Sequence, residues 1–370
     1  GGPGTGKTTL IRAIITAAEQ NGLEPALMAP TGRAAKRLAI SSGRDADTIH
    51  KALEASVRET GRTYFERNEA NPLEEDLIIV DEASMLDISL FYHLLCALKD
   101  GARLILVGDI DQLPPVGAGE PLKDLMSWGY VPIVRLKRIF RQEEGSGIVE
   151  NAALIRKGEM CVPDEAGEFR IVYAADDEDA YRIVMDLCRE LNYGNEENKM
   201  LLQVLSPMYR GVCGVDHLNE SLQEMIHGEK VPDGMKFFPG DKVMQTRNDY
   251  EKGIYNGDVG TVWTATPQKV FVRYFDKEVV YEGEERFDLR LAYAVTVHKS
   301  QGSEYETVIF ILRPSQHNML QRNLLYTGVT RARKNTILVT APDALRRALA
   351  IQHTGNRYSL FLPFLNHEAL

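Results

Sequence analysis

Near the start of the chain, Gly1-Gly2-Pro3-Gly4-Thr5-Gly6-Lys7-Thr8-Thr9 sets glycines, a lysine and hydroxyls at the spacing G-x-x-x-x-G-K-[ST]. Such a turn lets consecutive backbone N–H groups face phosphate oxygens, and the helix that follows adds the positive end of its dipole. Lys7 then reaches the outer phosphates and Thr8 can ligate Mg²⁺. Binding of a nucleoside triphosphate is the chemistry this predicts. Farther along, Asp81-Glu82 ends an apolar run. Asp81 is suited to holding Mg²⁺ and Glu82 to polarising the water that attacks a terminal phosphate. Gln112, after Gly108-Asp109, is a candidate sensor of that phosphate at the edge where open sheets bind ligands. In Tyr326-Thr327-Gly328-Val329-Thr330-Arg331-Ala332-Arg333 the arginines are expected on a helix. An arginine brought to the terminal phosphate is worth roughly 10³ to 10⁵ in rate, although Arg331 taken alone reads as a surface charge. The stretch 293–304 gathers Thr296, His298, Lys299, Ser300 and Gln301, donors suited to sequence-independent contacts with a sugar-phosphate chain. His298 has no His, Cys or carboxylate at ligand spacing, which argues against a metal there.

Placing these groups requires a scaffold of helices and buried strands. A helix is expected over 9–20, and short apolar runs at 25–29, 77–80 and 104–107 alternate with helical segments, the pattern of an open α/β sheet. A second α/β series begins with a helix at 148–157 and continues with strands at 168–173, 201–205, 307–312 and 336–340. Two stretches break the rhythm. Arg62-Thr63-Tyr64-Phe65-Glu66-Arg67-Asn68 reads as a short polar hairpin, within an insert of about 57–73. Short strands at 241–245, 258–264, 270–274 and 278–281, punctuated by glycines, read as a small β-barrel inserted at about 231–288. The lobes are therefore expected at 1–143 and 144–370. A phosphate loop ordinarily follows a buried strand, and none precedes Gly1, so the chain is read as a piece of a longer polypeptide.

Composition sets outer limits. With 370 residues, 44% hydrophobic and 26% charged, the chain supports two or more domains with a sizeable core. No apolar stretch is long enough to cross a bilayer, so no membrane partner and a cytoplasmic location are expected. Cys96, Cys161, Cys188 and Cys213 are scattered, which disfavours a zinc site or a disulfide framework. The net charge of −10 does not advertise a polyanion partner, but Arg33, Lys36 and Arg37 crowd one turn, and Arg135, Lys137, Arg138 and Arg141 crowd another segment.

In order, Gly1 to Thr9, Ala29-Pro30-Thr31-Gly32-Arg33-Ala34-Ala35, Thr48-Ile49-His50, Val80-Asp81-Glu82-Ala83-Ser84, Gly108-Asp109 through Gln112-Leu113-Pro114, Phe140-Arg141-Gln142, Val297-His298-Lys299-Ser300-Gln301-Gly302 and Tyr326 through Arg333 resemble the motif series of superfamily 1 helicases, in particular the RecD-like branch. The resemblance implies two RecA-like lobes with ATP between them and single-stranded DNA across their top. It implies that Gly1, Gly2, Gly4, Thr5, Gly6, Lys7, Thr8, Thr9, Asp81, Glu82, Gln112, Arg141, Gln301, Glu304 and Arg331 serve ATP, with Mg²⁺ on Thr8 and Asp81. Pro30, Thr31, Arg33, His50, Thr296, His298 and Ser300 match positions at the DNA strand. The hairpin near Tyr64 resembles the pin that splits a duplex, and the later insert resembles the SH3-like barrel of this branch. Movement from 5′ to 3′, work at duplex junctions in repair or recombination, and dependence on an upstream region or other recombination subunits are further implications. Two rival readings are a DNA-stimulated ATPase or translocase that does not unwind, and a nucleotide-gated DNA-binding subunit of a nuclease complex.

Overall fold

The computed structural model describes residues 1–2, 4–57, 63–136, 146–232, 234–249, 251–275, 277–352 and 360–366. The chain divides into two units, Gly1–Glu143 with Gly355–Leu370, and Glu144–Thr354. The helix Phe361–Leu365 belongs with the first unit, where Phe361 meets Phe91 edge-on at 5.8 Å between ring centroids, so the second unit does not run to residue 370.

In the first unit, β1 (Pro25–Ala29), β2 (Asp47–Thr48), a hairpin of β3 (Ala55–Val57) and β4 (Thr63–Phe65), β5 (Leu77–Val80) and β6 (Arg103–Leu106) follow α1 (Lys7–Gln20). The four-stranded sheet has the order β2-β1-β5-β6, parallel throughout. Every residue of β5 is buried, because alternate side chains meet helices on opposite faces. Leu27, Leu77 and Ile79 pack on Ile11, Ile15 and Leu38 from α1 and α2 (Gly32–Ser42). On the other side, Met28, Ile78 and Val80 pack on Ile49, Leu53, Phe91 and Leu94, which α3 (Ile49–Ala52) and α4 (Ile88–Cys96) supply or border. Strand β2 has no apolar run to betray it; its two residues pair with Met28 and Ala29. The hairpin is anchored rather than wholly polar. Phe65 joins the core at 8% exposure, while residues 58–62, Arg62 among them, lie outside the described residues.

The second unit starts with the helix Gly147–Lys157, then β7 (Phe169–Tyr173) and β8 (Leu202–Ser206). The insert contributes β9 (Lys242–Gln245), β10 (Val259–Ala265), β11 (Lys269–Arg273), β12 (Glu278–Glu282) and β13 (Leu289–Leu291) before β14 (Ala294–Thr296), β15 (Tyr305–Leu312) and β16 (Ala332–Thr340) resume the main sheet. That sheet is parallel and five-stranded, ordered β14-β8-β15-β16-β7. The helix Arg322–Val329 approaches it closely at Gly328, where an added Cβ would stand 2.5 Å from the Phe310 ring.

The insert is a five-stranded antiparallel sheet ordered β12-β11-β10-β9-β13. Val243, Val262, Val270, Val272, Val279, Tyr281 and Leu289, drawn from all five strands, share one core, so the sheet curls on itself with a register shift between Val262 and Thr264. It ends at Leu291 rather than near 288, since β13 pairs with β9 and completes it.

Candidate active site

Gly6 caps α1 in the left-handed region (φ 83°, ψ 20°), a conformation glycine adopts without a Cβ penalty. The N-terminus of α1 carries no side-chain cap and no acid in its first turn, so its backbone donors and dipole suit an anion. The Thr5 hydroxyl donates to the Gly2 carbonyl (2.8 Å), and the Lys7 ammonium donates to the carbonyls of Gly1 (2.8 Å) and Gly2 (3.0 Å). The loop thus curls around its own lysine, with Thr8 and Thr9 in the first turn of α1.

Asp81 follows β5, at 4% exposure. Burial pushes its carboxyl above the ordinary range and the neighbouring Glu82 charge adds to this, while Arg37 and Lys7 pull the other way. Gly1 N donates to the Gly108 carbonyl (3.0 Å) and the Ala83 N–H to the Val107 carbonyl (2.8 Å), so the loop lies beside the ends of β5 and β6, where the Lys7 charge reaches Asp81. Glu82 is 3% exposed and holds φ 50°, a left-handed conformation that is uncommon outside glycine. Its backbone N–H donates to Asp81 Oδ1 (2.9 Å) and its Oε1 accepts from Arg37 Nη2 (2.8 Å), while Oε2 is buried without a hydrogen-bond partner among the described residues. Gln112, 4% exposed, donates through Nε2 to Asp109 (3.3 Å) and lines a small pocket with Ser84, Glu120 and Lys123.

No three His, Cys, Asp or Glu side chains cluster as a metal cage among the described residues. Thr8 and Asp81 are the donors available to a hard cation, and such a pair fits Mg²⁺ shared with phosphate oxygens and water. Arg141 lies outside the described residues.

In the first unit, Pro30 is half-buried at the end of β1, and Thr31 caps α2 by accepting from the Ala34 N–H (3.3 Å). Arg33 is half-buried in the first turn of α2, beyond the cap. Thr48 caps α3 by accepting from Lys51 N–H (3.1 Å), which fixes His50 in the first turn, 5.9 Å from Phe65 between ring centroids. Burial lowers the His50 pKa, against the opposing charge of Asp87.

In the second unit, the Thr296 hydroxyl accepts from Lys299 N–H (3.2 Å), His298 is half-buried, and the Lys299 ammonium donates to Asn256 of the insert (2.6 Å). Ser300 is fully buried, and its hydroxyl donates to the Val297 carbonyl (2.7 Å), closing a turn. Gln301 is 7% exposed beyond that turn. Glu304 accepts from the guanidinium of Arg333 (2.9 Å). The expected helix for the arginines is corrected, because it ends at Val329 and strand β16 starts at Ala332. Arg331 sits in the turn, buried at 2% exposure rather than on the surface, donating to the carbonyls of Thr327 (3.2 Å) and Ser303 (3.1 Å). Sequence reasoning gave Arg37 no role at this site; its position four residues after Arg33, on the same helical face, was the available signal.

Residues 1–118 match the AAA domain family, 218–274 the SH3 domain of ATP-dependent RecD-like DNA helicases, and 291–339 the UvrD-like helicase C-terminal domain. The chain is 39% identical over 364 residues to the ATP-dependent RecD2 DNA helicase of Deinococcus radiodurans, which covers 97% of this chain and 49% of that protein. It is 34% identical over 403 residues to the RecBCD enzyme subunit RecD of Mycolicibacterium smegmatis, covering 97% of this chain and 71% of the relative. The chain thus spans about half the length of the RecD2 relative. A Pif1 helicase from Bacteroides, solved in complex with ADP-AlF3 and ssDNA, has a TM-score of 0.59 at 21% identity, covering 99% of this chain and 91% of its own. Pif1 helicase from Candida albicans gives 0.55 at 20% identity, covering 95% and 92%. At these identities the likeness is one of fold, two RecA-like lobes with an SH3-type insert. No helix among the described residues is long and apolar enough to cross a membrane.

Proposed function

The chain belongs to the RecD-like family of superfamily 1 DNA helicases, and we propose that it is an ATP-driven motor that moves on single-stranded DNA and opens duplex junctions. The observation that carries this reading is the meeting of Lys7, Asp81 and Glu82 at one end of a parallel sheet, with Glu82 Oε2 buried and without a hydrogen-bond partner among the described residues. A buried carboxylate oxygen without a donor is costly unless something occupies it during work. In the proposed reaction Lys7 and the α1 N-terminus bind the outer phosphates of ATP, and Glu82 orients the attacking water. Arg141 and Arg331 are assigned to the terminal phosphate, with Gln112 and Gln301 as its sensors and Glu304 orienting this region through Arg333. Mg²⁺, held by Thr8 and Asp81 when bound, would neutralise phosphate charge.

Pro30, Thr31, Arg33, His50, Thr296, His298 and Ser300 are assigned to the strand, with backbone contacts giving sequence tolerance. Movement from 5′ to 3′, a role in repair or recombination, and association with an upstream region or other recombination subunits complete the proposal. The names of the RecBCD relatives support the last of these.

The test is ATP hydrolysis with and without single-stranded DNA, followed by displacement of duplexes tailed at either end. Strand-stimulated hydrolysis that Lys7→Ala abolishes, with opening of 5′-tailed duplexes, supports the reading. Undiminished hydrolysis by Lys7→Ala overturns the site assignment. Hydrolysis without displacement leaves a translocase, and displacement that survives deletion of residues 63–68 removes the hairpin from the unwinding step.

A further inference from the structure

The ion pair between Arg37 and Glu82 joins two parts of the first unit that the function keeps separate. Glu82 is the carboxylate assigned to the attacking water. Arg37 stands on α2, the helix whose first turn holds Thr31 and Arg33, both assigned to the strand. Arg33 and Arg37 are four residues apart and share a face of that helix. Their environments differ from Glu82's: the Arg37 side chain is 31% exposed and within reach of solvent, whereas the Glu82 side chain is 4% exposed. Among the described residues the Arg37 guanidinium is the hydrogen-bond donor to Oε1 and Oε2 has none, and the residue is held at φ 50°. A non-glycine residue keeps such a conformation only when its surroundings hold it there.

We infer that Arg37 is a positioning residue that restrains Glu82 until a phosphate of the bound strand competes for its guanidinium. A phosphate that reaches Arg33 along the same face is placed to draw on Arg37, and guanidinium pairs well with either anion. Release of Oε1 lets the carboxylate turn toward the water it orients, so hydrolysis is slow without a strand and fast with one. The polyanion acts through differential contact with two states of one side chain, which is what coupling requires. This inference rests on the assignment of Glu82 and of α2 made above.

The experiment measures ATP turnover of the chain with and without oligothymidylate, for the parent, Arg37→Ala, Arg37→Lys, Lys7→Ala and Glu82→Gln. Arg37→Ala is expected to raise strand-free kcat to within about three-fold of the stimulated rate, with KM for ATP changed by less than about two-fold. Arg37→Lys keeps an ion pair and is expected to hold strand-free kcat within about three-fold of the parent. A purely structural role would lower both rates together and leave their ratio unchanged. That result, a fall in strand-free kcat, or parent hydrolysis that a strand does not stimulate overturns the inference. Thermal unfolding of each variant separates misfolding from release: a destabilised Arg37→Ala with an unchanged ratio counts against restraint. Loss of turnover in Lys7→Ala and Glu82→Gln keeps the active-site reading standing even where the Arg37 result fails, and turnover that survives both substitutions overturns that reading itself.

Discussion

The Asp81-Glu82 pair of the first unit and Asp241 of the second are both acids sunk in a protein core, yet their partners differ in kind. Asp241 is fully buried and accepts from the Phe238 N–H (2.7 Å), the Tyr293 hydroxyl (2.9 Å), the His227 ring (2.9 Å) and the Gln223 amide. The adjacent Lys242, also fully buried, donates to the Leu202 carbonyl and Gln203 Oε1 (both 3.0 Å) and lies 5.4 Å from the centroid of the Tyr193 ring. These bonds run from the barrel strand β9 and its approach to the helix Val215–His227 and to the main sheet, so they seat the insert on its lobe. Around Asp81 and Glu82, among the described residues, the bonds are fewer, one carboxylate oxygen has no hydrogen-bond partner, and the backbone is held in a sparse conformation. A saturated buried network fixes structure; an incompletely satisfied one beside a phosphate loop retains capacity for a substrate.

Substitution at each site should therefore move a different observable. Glu82→Gln is expected to lower kcat for ATP hydrolysis by about 10² to 10⁴, the range for loss of a positioned proton acceptor, while the unfolding midpoint of the first unit stays near the parent's. Asp241→Asn should do the reverse. It keeps one acceptor oxygen but turns an amide N–H₂ toward two of the four donors, and is expected to cost about 3 to 5 kcal/mol, read as early urea unfolding and lost amide protection in β9 and β13. Turnover per folded molecule should persist. Equal losses of activity and stability in both variants would erase the distinction.

That distinction was only half visible in the residue order. The phosphate loop and the acid pair stood out because their chemistry depends on local spacing, and β1 and β5 fell on the apolar runs at 25–29 and 77–80 because strands buried on both faces need continuous apolar sequence. The Asp241 network was hidden. Its partners come from positions as far apart as Gln223 and Tyr293, and their pairing depends on how the barrel folds back. Strand β13 was missed for the same reason, since three residues carry no period and exist as a strand only through β9. The residue order around Arg331 carries no break between the helix that ends at Val329 and the strand that starts at Ala332, and pairing of β16 with β15 marks the boundary. The burial of Ser300 is likewise a property of the packed lobe that residue type does not carry.

A smaller effect sharpens the contrast through pH. Burial, with Glu82 beside it, holds the Asp81 carboxyl above its ordinary value, so the folded state binds this proton more tightly than the unfolded chain. Stability of the first unit should therefore fall as pH rises above the ordinary value of 3.8, until the folded group has also ionised. Asp81→Asn removes that slope, so its urea midpoint should overtake the parent's as pH increases from about 4 to about 7. A parent midpoint that rises in step with the variant's over this window would show that Asp81 ionises without penalty.

The smallest effect concerns His50, which lies between the two extremes: burial lowers its pKa, while the Asp87 charge opposes the shift. Its unfolded form binds a proton more readily, so stability linked to His50 is fully present above the ordinary 6.5 and is lost as pH falls from there toward the lowered folded value. At about pH 7.5 the ring is neutral and releases no counterion on binding a strand. His50→Gln should then leave the salt dependence of strand affinity unchanged, whereas Arg33→Ala should reduce the slope of log affinity against log salt by about one. If His50→Gln also reduces that slope at about pH 7.5, the imidazole is charged when it meets phosphate, and strand binding rather than burial sets its proton.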